Sequence, residues 1–254
     1  MKTLTNSLFV IVLFGTIASS CSKSDNSPGK SSVSYTEPAL AKDSLVKIPS
    51  AINTKATSNL NLYNLTISTS FVNTFSSGLA AAFIYDQNTV DGWKSTSNSD
   101  GSTTYSFSYL QFGVNLTYYQ STGNSWWKYS YDSASYTMPI YYIQDKGTSG
   151  EIDWYNWGNN YKSTSILALK DTWTKSGSTT NSTFNEYEND GVTLLNQYVS
   201  TSNADRSGSM NILGQNSPGA ALQMQWKYTW NSNGTGTYTR YDTDGTTVLS
   251  SGTF

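Results

Sequence analysis

Histidine is absent from this 254-residue sequence. Its absence removes the serine–histidine–aspartate and cysteine–histidine catalytic sets, imidazole-ligated metals and a histidine pH switch. Cysteine occurs once, as Cys21. No disulfide can therefore staple the chain internally, and stability has to come from packing and hydrogen bonds, for which residues 21–254 are long enough to bury a sizeable core. Charge is scarce too: Asp, Glu, Lys and Arg make up 13% of the residues and leave a formal net charge of −2. Without a basic excess or a run of Lys or Arg, nothing supports a surface that tracks phosphates, so nucleic acid is not an expected partner. Neither standard spacing of a glycine-rich phosphate loop occurs, and no cofactor or metal is expected.

What is present begins with an address. Lys2 precedes the apolar run Leu8–Phe14, extended weakly through Ile17 and Ala18. This run falls short of the about 20 apolar residues that span a bilayer and suits the core of a secretory signal. It closes on Ala18-Ser19-Ser20-Cys21. Small residues directly before a lone cysteine resemble the lipobox of bacterial lipoproteins. That resemblance implies cleavage after residue 20, lipidation of Cys21, and attachment to a membrane through the lipid. Acylation would also consume a thiol that is otherwise a liability in an exported protein.

Residues 22–32 contain no apolar side chain except Pro28 and cannot offset the entropy of their own ordering, so 21–45 reads as a flexible tether. Its start, Cys21-Ser22-Lys23-Ser24-Asp25, resembles that of Bacteroidota lipoproteins, which implies an outer-membrane location, surface-exposed or periplasmic. Asp43-Ser44-Leu45 and Asp132-Ser133-Ala134 resemble the O-glycosylation sequon of the same group. Residues 46–254 are then expected to form a single domain.

That domain reads as mainly β. Aromatics reach 14%, led by 19 Tyr and 8 Trp, and Tyr, Trp and Thr suit a pleated, half-wet surface whose turns take Asn, Asp and Gly. Asp-Gly recurs at 91–92, 100–101, 190–191 and 244–245, with Asn233-Gly234 besides. Such pairs between alternating segments mark hairpins. Leu110-Phe112-Val114-Leu116-Tyr118 and Leu222-Met224-Trp226-Tyr228-Trp230 alternate with polar or small residues, the pattern of strands with one buried face. Phe184–Leu195 aligns without gaps on Tyr238–Leu249, predicting two similar hairpins, each with a tight turn and with Gly191 or Gly245 at positive φ. The expected architecture is an antiparallel meander forming a strongly bent sheet or open barrel. One helix is expected within 52–83, where Ile67, Phe71, Phe75, Leu79 and Phe83 recur every four residues with Val72 beside them. As a whole the chain resembles uncharacterised Bacteroidota lipoproteins, a resemblance that carries no activity.

One segment proposes chemistry, Gly150-Glu151-Ile152-Asp153-Trp154-Tyr155-Asn156-Trp157. It resembles the catalytic strand of family-sixteen glycoside hydrolases, which implies Glu151 as nucleophile and Asp153 as its helper. The acid/base would fall at Tyr155 or Asn156, neither of which is a carboxylic acid, although a retaining enzyme needs a second carboxyl about 5 Å away. The bland alternative is a strand with Ile152 and Trp154 inward and Glu151, Asp153 and Tyr155 toward water. Trp126-Trp127 with Tyr129, and Trp154 with Tyr155 and Trp157, are the densest aromatic groups and the candidates for stacking on a ligand. Alternation places Trp127, Tyr129 and Tyr131 on one side and Trp126 with Lys128 on the other. The expectation is a non-catalytic envelope protein that binds an extracellular ligand, with a glycan ranked first. A carrier of an apolar or lipid ligand ranks next, and a carboxylate-dependent glycosidase last.

Overall fold

A computed structural model describes residues 46–77, 94–109, 112–121, 123–132, 137–157 and 165–254. The signal sequence, the tether with Cys21 and Asp43-Ser44-Leu45, Leu79, Phe83, Asp91-Gly92, Leu110 and Ser133-Ala134 lie outside the described residues.

Among the described residues two helices come first, α1 (Ser50–Ala56) and α2 (Leu60–Ser77). Thirteen strands follow: β1 (Lys94–Ser97), β2 (Thr103–Tyr109), β3 (Phe112–Ser121), β4 (Asn124–Asp132), β5 (Thr137–Asp145), β6 (Ser149–Trp157), β7 (Ser165–Ser176), β8 (Thr179–Tyr187), β9 (Leu194–Asn203), β10 (Gly208–Gly214), β11 (Gln223–Trp230), β12 (Gly236–Tyr241) and β13 (Val248–Thr253). Each strand pairs antiparallel with its sequence neighbours, in one sheet whose order runs from β1 straight to β13. The expected meander is therefore present as an open sheet, and among the described residues β1 and β13 are not paired to close a barrel.

The helical segment is split where the expectation had one helix. Asn59 ends the break: its Oδ1 accepts the backbone N–H of Asn61 at 3.0 Å and of Leu62 at 3.4 Å, an N-cap for α2. The buried stripe of α2 also differs from the expected one. Leu62, Leu65, Ser68, Thr69, Val72, Phe75 and Ser76 are buried, whereas Ile67 is 45% exposed. Hydroxyl residues hold several of the inward positions, which hid the stripe from a reading of apolar residues alone. Thr69 satisfies its hydroxyl on the Leu65 carbonyl at 2.7 Å.

Period-two alternation divides the sheet into an inner face under the helices and an outer face. Trp127, Ile143, Ile152, Asp171, Phe184, Tyr198 and Ile212 lie opposite one another across β4 to β10 on the inner face. All but Asp171 join Leu62, Leu65, Val72 and Phe75 in one core, with Tyr198 packed at its margin. Phe71 meets Phe75 and Phe184 edge-on at centroid distances of 4.9 and 5.5 Å. Polar bonds fix the helices in place: Tyr228 donates its hydroxyl to the Asn61 carbonyl at 2.9 Å and accepts from Asn64 at 3.2 Å. Two indoles lie flat over cross-strand glycines, where a Cβ on Gly150 would come within 2.1 Å of Trp173 and one on Gly208 within 2.9 Å of Trp230.

The internal repeat is structural. In the β8–β9 connection Glu188 N–H donates to the Thr193 carbonyl and Gly191 N–H to Glu188; in β12–β13 Asp242 and Gly245 do the same toward Thr247 and Asp242. Gly191 and Gly245 both have φ of 71°, and a bulge follows at the same place in each hairpin. Each connection runs six residues, 188–193 and 242–247. After the four-residue turn, Asp190 and Asp244 each bind two further N–H groups and a threonine hydroxyl.

Candidate functional site

The outer face carries two neighbouring rows of side chains. One row runs Lys128, Tyr142, Asp153, Lys170, Asn185, Gln197 across β4 to β9. The other runs Tyr119, Trp126, Gln144, Glu151, Thr172, Thr183 across β3 to β8. Glu151 and Asp153 reach this face because they alternate with Ile152 and Trp154, which are 1% and 8% exposed in the core.

Lys170, on β7, stands directly opposite Asp153 and between the two carboxylates. Its Nζ lies 2.7 Å from Glu151 Oε2 and 3.0 Å from Asp153 Oδ1. Tyr155 donates a long hydrogen bond, 3.5 Å, to Asp153 Oδ2. The Asp153 Oδ1 atom is buried and is met by charge rather than by an aligned hydrogen bond. Burial holds the Asp153 carboxyl above its usual range despite the ammonium beside it. Burial works against the charge on Lys170 as well, but the hydrogen-bonded ion pair with Glu151 and the ion pair with Asp153 outweigh it and raise the ammonium's pKa. Burial, then the nearby carboxylates, raises the phenols of Tyr142 and Tyr155.

This geometry bears directly on the carboxylate pair. A glycosidase nucleophile must be free to reach an anomeric carbon, with a protonated carboxyl across the bond. Here the Glu151 oxygen is held by an ammonium, and among the described residues no cluster of three or more acidic side chains suited to a metal is found.

Beside the ionic cluster, Tyr119 and Trp126 stack with ring centroids 6.0 Å apart and planes 17° from parallel. The Lys128 ammonium lies 5.4 Å from the Trp126 ring centroid. Trp126 is half-buried, whereas Trp127 and Tyr129 are 1% and 2% exposed under the helices. Of the aromatic candidates, Trp126 and Tyr155 thus share the outer face. Trp127, Tyr129 and Trp154 are corrected to core residues, since period two turns every second side chain inward. The side chains of Tyr131 and Trp157 lie outside the described residues. Lys170, Tyr142 and Tyr119 were missed in the sequence. Their membership follows from the registers of β5 on β6, β6 on β7 and β3 on β4, which alternation within a single strand does not give.

Directly behind Lys170, Asp171 points into the core and is 2% exposed. It accepts the Ser76 hydroxyl at 2.6 Å and the Ser182 hydroxyl at 2.7 Å, fastening the end of α2 to β7 and β8. Burial raises its pKa, opposed by these hydroxyls. A further concavity of about 480 Å³ opens among Thr229, Trp230, Thr237, Thr253 and Phe254, with no ionisable side chain in its wall.

No protein-family model matches the chain, and no curated protein matches it. Among the described residues no helix is long and apolar enough to cross a membrane.

Proposed function

We propose that the domain is a non-catalytic binding module of the cell envelope, held by a lipid on Cys21, whose outer sheet face takes an extracellular glycan. The observation that carries this reading is the half-exposed Tyr119–Trp126 stack, set on the same sheet face as Glu151, two strands away, and Lys170, three strands away. An aromatic plane can pack on the C–H face of a sugar ring while Gln144, Glu151, Lys170 and Tyr142 hydrogen-bond its hydroxyls. The ion pairs around Lys170 favour binding over hydrolysis, because they occupy the carboxylate a nucleophile would need. A carrier of an apolar ligand would need room between α2 and the sheet. That space is filled by ring contacts among Phe71, Phe75, Trp154 and Phe184.

A glycan array probed with the purified protein tests the reading. Binding to one glycan class is expected, weakened at least tenfold by Trp126→Ala and within about twofold of wild type for Glu151→Gln, whose amide keeps shape and most hydrogen bonding. No retained glycan, or β-glucan hydrolysis that vanishes in Glu151→Gln, would sink it. The anchor is tested separately: Cys21→Ala should release the protein from membranes or leave it unprocessed, and unchanged processing and membrane association would refute lipidation.

A further inference from the structure

The two edges of the sheet are not alike. β1 is four residues long, exposed at every position, and begins with Lys94. Short, charged edges resist the addition of another strand. β13 has no charged residue and no proline, exposes Val248 at 52% and Leu249 at 51%, and has no strand on its far side among the described residues.

The direction of its backbone groups can be read in two ways that agree. Phe254, just beyond β13, exchanges both backbone hydrogen bonds with Gly236 of β12, at 3.0 and 3.1 Å. Hydrogen-bonded pairs alternate along an antiparallel ladder. Ser250 and Gly252 therefore also turn toward β12, and the N–H and C=O groups of Ser251 and Thr253 point out, with Leu249 the extra residue of the bulge. The internal repeat gives the same answer. β9 is the counterpart of β13, with Leu195, Gln197 and Val199 in the places of Leu249, Ser251 and Thr253. The Leu195 carbonyl accepts the Gln215 N–H on the side where β10 lies. β9 carries the same bulge toward β8 as β13 carries toward β12, and β10 still pairs along it from Asn196 to Ser202.

We propose that β13 pairs antiparallel with β13 of a second copy of this chain, about a two-fold axis through Ser251, joining two sheets into one. In this register Ser251 faces its own counterpart, and Leu249 faces Thr253 of the second copy. Outward groups then meet outward groups across 249–253. A centre between two residues would set outward groups against residues turned to β12, and a centre on Ser250 or Gly252 would pair only two of the three outward positions 249, 251 and 253 with one another, so the Ser251 centre makes the longest ladder. The strand suits its own copy because it is uncharged, so self-pairing opposes no like charges. Pairing β13 with β1 of another copy would meet the blunted edge and, being head-to-tail, would not close. Such a two-fold axis stands perpendicular to the sheet and leaves both outer faces on the same side.

Oxidative cross-linking of the full-length protein in membranes tests this. Facing residues of a hydrogen-bonded pair lie about 5.5 Å apart at Cα, within disulfide reach. Ser251→Cys should give a disulfide-linked dimer at least tenfold above wild type, whose one cysteine is Cys21, and above Ser232→Cys, an exposed loop control. Adding Leu249→Lys to Ser251→Cys should cut that yield at least tenfold while thermal unfolding of the protein is unchanged. Mass photometry of the solubilised protein should show a dimer that Ser251→Pro dissociates, since that proline removes an outward N–H and none that bonds β12. Cross-linking no greater than from Ser232→Cys, a dimer indifferent to Ser251→Pro and Leu249→Lys, or open-ended assemblies would overturn the proposal.

Discussion

Asp153 and Asp171 sit on the same pair of strands, β6 and β7, yet face opposite ways and are held by different chemistry. Asp153 lies on the outer face with an ammonium 3.0 Å away. Asp171 lies on the inner face, under α2, with two serine hydroxyls for partners. Both carboxyls are pushed up by burial. The difference teaches what each face tolerates. Water near the outer face lets charges be paired by charges, whereas the helix-covered face admits a carboxyl only where neutral donors meet each oxygen.

The comparison can be broken most severely on the inner side. Asp171→Ala strands the Ser76 and Ser182 hydroxyls in the core and leaves a small void, and should cost about 3 kcal/mol in urea unfolding. Lys170→Met should cost about 1 kcal/mol or somewhat more, since Lys170 and Glu151 are 26% and 30% exposed and partly screened while Asp153, at 11%, is not. That cost should shrink in molar salt while the Asp171→Ala cost does not; equal salt dependence would erase the distinction between the faces. Glu151→Gln should cost less than about 0.5 kcal/mol.

Titration sharpens the same contrast. A carboxyl whose pKa is raised on folding favours the folded state in its protonated form. Its contribution is full below the ordinary aspartate range and is lost as pH rises through the elevated folded value. Asp171→Asn should therefore flatten the loss of stability between acid and neutral pH. Lys170→Met should steepen it, because Asp153 and Glu151 then face each other without the ammonium. Lys170, also raised, contributes at all lower pH and loses its contribution only in strong alkali. Denaturant midpoints measured from pH 3 to pH 8 for the three proteins check these slopes.

Local pattern carried much of this fold. Glycines at positive φ, the repeated hairpin and the split of Trp126 from Trp127 all follow from neighbours in sequence. The turns show the limit of that legibility. Asn98-Ser99-Asp100-Gly101-Ser102 and Asn231-Ser232-Asn233-Gly234-Thr235 announce themselves by glycine. Asn203-Ala204-Asp205-Arg206-Ser207 makes the same backbone bonds with Arg206 at φ 68° and no such signal. The stripe of α2 was misplaced because Ser68, Thr69 and Ser76 are buried through partners that only the tertiary fold supplies. The site was half legible for a related reason. Period two gave the faces of Glu151 and Asp153, but the ammonium between them comes from 17 residues further along the sequence than Asp153, through strand register.

The order of the sheet also has a temporal meaning. Every strand adds to the one made just before it, so the ladder can grow as a zipper whose steps close loops of only a few residues where the connections are described, the regime of low contact order and rapid formation. The helices obey a different clock. Their anchors reach across the sequence, from Ser76 to Asp171 and from Asn64 to Tyr228, and those contacts form only after several strands stand side by side. Folding should then show a fast phase insensitive to Asp171→Asn and a slower docking phase that this substitution retards.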